Sequence, residues 1–134
     1  MQTTALMNAV AGIGTGAITN ATKTAFQATT SAFSLEATIT SNTGSVPYQV
    51  NRQRVPRLWF AVSSFSITAA QAVTQLASIA QTLDIVPNMN AKGIQNSKTE
   101  ALAAMGGYIY TWLEEPNMPA NQTATVSVNL IELD

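Results

Sequence analysis

Gln122-Thr123-Ala124-Thr125-Val126-Ser127-Val128-Asn129-Leu130-Ile131-Glu132-Leu133 is the stretch whose reading decides the fold class. Ala124, Val126, Val128 and Leu130 fall on one side of an extended chain; Thr125, Ser127 and Asn129 fall on the other. Strand side chains alternate between two faces, so this period of two predicts a strand with one face in a core and one in water. Upstream, Tyr108-Ile109-Tyr110-Thr111-Trp112-Leu113-Glu114-Glu115 alternates in the same way, with Tyr108, Tyr110 and Trp112 on one face. The turn-rich Pro116-Asn117-Met118-Pro119-Ala120-Asn121 separates the two segments, and a long hairpin is expected.

Further from this stretch the same period returns. Phe26 and Ala28, and then Leu35, Ala37 and Ile39, recur at every second residue, with Thr, Ser and Glu36 between them. Ser31-Ala32 and Asn42-Thr43-Gly44-Ser45 supply turns. Thr3 to Met7 and Ala17 to Thr19 read as two short strands around a glycine loop. Pro47 and Pro56 suit sheet edges or strand starts. From Leu58 to Ser63, Trp59 and Ala61 oppose Leu58, Phe60 and Val62, so both faces are apolar and the strand is expected to be central or covered by a partner. The period then changes. Val73, Leu76, Ala77, Ala80 and Leu83 have helical spacing, which predicts a short helix over about 70–82. Ser97 and Glu100 have the S-x-x-E spacing of a capping box, and Gly106-Gly107 would end the helical turn after it. The expected fold is one domain over 1–134: an all-β antiparallel β-sandwich, jelly-roll or Ig-like, with a short helical insertion around 70–105.

Composition narrows the function. The chain has 134 residues, which suits a single domain with a real core. It contains no Cys, so disulfides and thiolate metal sites are excluded, and no His, the commonest general base. Only 10% of residues are charged and the net charge is −1, which argues against nucleic acid, whose phosphates call for a basic face. No segment is long and apolar enough to span a membrane, and the N-terminal stretch lacks the basic region of a signal peptide, so neither membrane insertion nor export is expected. A surface built from Thr, Ser, Asn and Gln suits a protein partly covered by partners.

Several local patterns invite chemistry. Gly12-Ile13-Gly14-Thr15-Gly16-Ala17 fits a dinucleotide fingerprint, but that motif works only between a strand and a helix. Here Ile18-Thr19-Asn20-Ala21-Thr22 follows, a strand-like run, so a strand-loop-strand is expected and no cofactor is assigned. Glu114 and Glu115 are adjacent and point to opposite faces of a strand, so they cannot flank one bond. Glu132 and Asp134 are expected near them across the hairpin, yet without a calcium-type loop no metal is assigned. Arg52, Arg54 and Arg57 stand out among six basic residues and read either as a solvated strand edge or as a contact for an acidic neighbour, such as the acidic hairpin end of another copy. Tyr108, Tyr110 and Trp112 read as core or interface, with a sugar-binding platform as the alternative. Asn20-Ala21-Thr22 and Asn121-Gln122-Thr123 match the glycosylation sequon, which matters only on a eukaryotic secretory route. With neither His nor Cys, no nucleophile-base arrangement is visible, and no enzyme is expected.

Three stretches, Leu6 to Ile18 ("LMNAVAGIGTGAI"), Lys23 to Ser45 ("KTAFQATTSAFSLEATITSNTGS") and Gly106 to Leu133 ("GGYIYTWLEEPNMPANQTATVSVNLIEL"), resemble small β-sandwich virion proteins of tailed bacteriophages. The resemblance covers roughly the first 45 and last 28 residues; the middle, about 65–105, departs from it as an insertion. It implies a structural role in the virion and offers no catalytic residues. The expectation is a head decoration or cement protein that bridges neighbouring subunits of the major capsid protein, or other virion proteins, as a small homo-oligomer such as a trimer. The interface candidates are Arg52, Arg54, Arg57, Trp59, Glu114 and Glu115. The alternatives are a tail or fibre-base protein and a carbohydrate-binding module.

Overall fold

β9 (Thr123–Leu133) lies inside a sheet, hydrogen-bonded to the N-terminal strand β1 (Gln2–Ile13) on one side and to β3 (Ala32–Thr43) on the other. The computed structural model describes residues 2–13, 18–43, 57–85, 95–104, 106–114 and 123–133. β8 (Tyr108–Glu114) is in the opposite sheet, between β2 (Ile18–Ala25) and β4 (Arg57–Ser63). The expected hairpin is therefore corrected. The two strands do not pair, and the chain crosses from one sheet to the other between them. Alternation reports which face of a strand is buried, not which strand lies beside it. Placing the two apolar faces in opposite sheets lets each bury the other.

The first sheet has the order β1-β9-β3-β6, with β6 (Gln95–Lys98) on the outer side of β3 and the two-residue β7 (Leu102–Ala103) also on β3. The second has the order β2-β8-β4-β5, with β5 (Gln81–Asp84) at its edge. Every pairing is antiparallel. With β7 set aside, the ladders nest: β1 with β9, β2 with β8, β3 with β6, β4 with β5. A ribbon folded at its midpoint and rolled up in this way is a jelly roll, one of the sandwich topologies expected.

Between the sheets lies the main core, which includes Met7, Phe33, Leu35, Leu58, Phe60, Ile109, Leu113, Val126, Val128 and Leu130. Burying a side chain of this size contributes about 1.5–3 kcal/mol. Glu132 lies at one end of this core, 4% exposed, where it accepts hydrogen bonds from Gln27 N (2.9 Å) and Thr30 Oγ1 (3.1 Å). It therefore anchors the Gln27–Thr30 turn, closed by Thr30 N on Gln27 O at 3.0 Å, rather than joining Glu114 in an acidic cluster. That turn replaces the one expected at Ser31-Ala32, since Ala32 already opens β3.

A second, smaller core sits on the outer face of the second sheet. α1 (Ala69–Gln75) places the buried Ala72 over Tyr110 and Trp112, with Val73, Leu76, Trp59 and Ile67 packed around them. This accounts for the two apolar faces of β4: Leu58 and Phe60 belong to the main core, while Trp59 belongs to the helix-covered one. The helix is shorter than the expected 70–82. Thr74 and Thr82 are weak helix formers, and from Gln81 the backbone pairs with β4 instead. Leu83, expected in the helical stripe, packs against the main core. The expected capping box at Ser97 and Glu100 is also corrected. Ser97 is in β6 opposite Ala37, and Thr99 exchanges two hydrogen bonds of 2.9 Å with the backbone of Leu35. The capping box that exists is Thr68 with Gln71. Helix thus occupies only the start of the 70–105 insertion, and its other described elements are strands.

β1 and β2 both outrun the short strands expected. β1 carries register shifts after Ala5, Met7 and Val10, each adding a residue opposite β9, and β2 shifts after Thr19. Asn20, at φ 56°, sits in that second irregularity. Bulges of this kind break the period of two. β1 ends at Ile13 and β2 starts at Ile18, so a strand, not a helix, follows the glycine-rich stretch, and the dinucleotide reading falls; Gly14 to Ala17 lie outside the described residues.

Candidate assembly surface

Arg52, Arg54 and Glu115 lie outside the described residues. The other three interface candidates meet at one end of the second sheet. Register places Arg57 opposite Glu114 and Trp59 opposite Trp112. Arg57 Nε is 3.0 Å from Asp84 Oδ1, and its Nη1 is 3.8 Å from Glu114 Oε1. Arg57 thus has acidic partners within its own chain. Asp84 is not a candidate by sequence because the residues before it have helical spacing, whereas strand pairing aligns it with Arg57. All three side chains are about one-third exposed, so water screens the cluster and each pair contributes at most about 1 kcal/mol.

Trp59 stacks on Trp112, with ring centroids 6.1 Å apart and planes 8° from parallel. Trp112 is 2% exposed and Tyr110 is fully buried. The Tyr110 hydroxyl donates to Phe65 O (2.9 Å) and accepts from Ile67 N (3.0 Å), which ties the segment after β4 to β8. Tyr108 stays partly exposed, with Lys23 Nζ 4.8 Å from its ring centroid. The three aromatics therefore do not form an open platform for a sugar; α1 and this loop cover two of them. A niche of about 100 Å³ remains between Trp59, Val73, Ala77, Trp112 and Glu114, and Trp59 Nε1 is buried without a hydrogen-bond partner among the described residues.

A larger cleft opens on the main core. Its volume is about 230 Å³, and Phe33, Phe60, Val62, Ile79 and Leu102 supply its apolar walls. Ile79 is 62% exposed, and Phe65, in the loop after β4, is 76% exposed. Neither is a candidate by sequence: Phe65 sits outside an alternating run, and Ile79 falls within the stretch whose spacing reads as helical.

The sheet edges are guarded by different means. β5 and β6 are only four residues long. β2 carries Lys23 and the bulge at Asn20, and β1, which has no charge, is bent by its three register shifts. Short length, lysine and bulges all discourage edge-to-edge pairing. Among the described residues, no group of three or more His, Cys, Asp or Glu could hold a metal ion.

Fold and surface together define a charge-poor jelly-roll domain whose distinctive surface features are an apolar cleft and an exposed aromatic ring. No protein-family model matches the chain, and no curated protein matches it either.

Proposed function

We propose that this protein is a non-enzymatic structural component of a bacteriophage virion, a capsid decoration or cement protein that bridges neighbouring subunits of the major capsid protein. The observation that carries this reading is the nested strand order of the jelly roll, an architecture used by viral capsid proteins, lectins and cupins. Within that group the chain lacks the histidines that a cupin-type metal site draws on, and the buried Trp112 denies it an aromatic glycan platform. A composition with few charged residues supports a life spent in contact with other subunits. Each contact on a capsid lattice can be small, because repeated engagement across many copies multiplies a modest affinity. The working form is a small homo-oligomer such as a trimer, with neither nucleic acid nor membrane as partner.

Quantitative mass spectrometry of purified particles tests this. A copy number comparable with that of the major capsid protein is expected. A copy number near that of tail components moves the protein to the tail or fibre base, and its absence from particles overturns the virion reading.

A further inference from the structure

We propose that Phe65 is the knob, and the apolar cleft bordered by Ile79 the socket, of a contact between two copies of this chain. The proposal deepens the assembly reading above and rests on it for biological setting, but the contact itself is a property of the isolated protein.

Phe65 and Ile79 are the exposed large hydrophobic side chains among the described residues. Phe65 is held by hydrogen bonds on both sides. Its N donates to Ser63 Oγ at 3.1 Å, its carbonyl accepts from the buried Tyr110 hydroxyl at 2.9 Å, and Ile67 N donates to the same hydroxyl at 3.0 Å. Lys23 Nζ adds a bond to Ser66 Oγ at 2.5 Å. The ring is therefore held out into water by an anchored backbone, the preorganised state in which an aromatic anchor binds with little further loss of entropy.

The socket fits that knob in size and in charge. The cleft holds about 230 Å³, whereas roughly 150 Å³ suffices for a benzene ring in an apolar protein cavity. Its walls, which include Phe33, Phe60, Val62, Leu102, Ala103 and the polar Gln81, carry no ionisable group, and no ionisable residue occurs from Ser63 through Ala80. The socket walls therefore lose no charge to docking, and the ionisable group beside the knob is Lys23, bonded to Ser66. A second copy presents the same neutral surface, and at a net charge of −1 two copies scarcely repel.

Area decides the form of the assembly. An aromatic side chain buries about 150–250 Å². One knob with the walls it covers therefore falls short of the roughly 1,000 Å² that a specific interface clears. Two contacts per copy, one given and one received, approach it. This selects a two-fold pair, in which both contacts fall within one interface and every Phe65 is seated.

The test uses three proteins in sedimentation equilibrium: the wild type, Phe65→Ser and Ala103→Trp. Both replaced residues are exposed, so thermal midpoints and tryptophan fluorescence should show all three folded. The wild type is expected to form a closed oligomer, and removing the knob or filling the socket should each weaken association at least about tenfold. An equimolar mixture of the two variants seats only one knob per pair, half the contact of the wild type, and should associate more weakly than the wild type. A monomeric wild type, variants that associate like the wild type, or a mixture that associates as tightly as the wild type would each overturn the proposal. Should the wild type be monomeric and Phe65→Ser abolish binding to particles, the knob meets the capsid protein; the self-contact is then wrong while the virion reading stands. Self-association that depends on Phe65, in a protein absent from particles, supports the contact and overturns the virion reading.

Discussion

Gly107 bears a constraint that its neighbour Gly106 does not. A Cβ on Gly107 would lie 2.3 Å from the carbonyl oxygen of Ser63, a backbone atom that cannot swing aside. Gly106 has open space around it but sits at φ +65°, where a side chain strains the backbone. By sequence the pair suits a helix stop, whereas in the structure it leads into β8 and lets that strand press against the end of β4. We expect Gly107→Ala to cost at least about 3 kcal/mol, the upper end of the usual range for overpacking. Urea unfolding followed by tryptophan fluorescence checks this; a loss below about 1 kcal/mol would mean that the β4 end yields without cost. The candidate residues show the same split between composition and contact. That Arg57, Trp59 and Glu114 are unusual is legible from their scarcity. That Arg57 answers to Asp84 is not, because their meeting depends on a pairing between segments 27 positions apart.

The middle of the chain shows why local motifs mislead at the scale of elements. Thr68 to Gln71 and Ser97 to Glu100 have the same spacing of cap and N3 residue. Only the first caps a helix, with Thr68 Oγ1 accepting from Gln71 N at 3.1 Å and Gln71 Oε1 accepting from Thr68 N at 3.0 Å. The second lies beside β3, whose backbone offers Gln95 to Lys98 a full ladder of partners. Helix α1 is only seven residues long, so its stability depends on its cap and on the packing of Ala72. Thr68→Ala is expected to cost about 1 kcal/mol, while Glu100→Ala, at an exposed position, should stay within about 0.5 kcal/mol. Equilibrium denaturation of the two variants distinguishes the real cap from its look-alike; equal losses would refute the assignment. At the N-terminus the obstacle is geometric. Each bulge in β1 shifts its alternation by one residue, so the period of two is broken from Ala5 onward.

At the scale of the whole molecule, the stability of this sandwich comes from apolar burial rather than from charge. Two apolar layers, one between the sheets and one under α1, hold the largest buried side chains. The ion pairs around Arg57 are partly exposed and screened. At fixed protein concentration, changing NaCl from about 0.05 to about 0.5 M should leave the unfolding free energy within about 1 kcal/mol, because only exposed charge pairs respond to screening. Sulfate, which strengthens effective apolar burial, should raise it. Parallel urea titrations measure both effects, and a strong NaCl response would show that charge matters more than the arrangement around Arg57 implies.

The amino-acid sequence alone determined the fold class and, in its clearest strands, the buried face. It also excluded thiol and histidine chemistry. Face is legible because burial imprints a period of two on neighbouring residues. Only the tertiary structure decided that β8 and β9 belong to opposite sheets, that Trp112 lies beneath a helix, and that Phe65 stands clear of every wall while a cleft of matching size opens on the core. Those outcomes depend on contacts between distant segments. They follow from the requirement that two apolar faces close on each other, a condition that local periodicity leaves open.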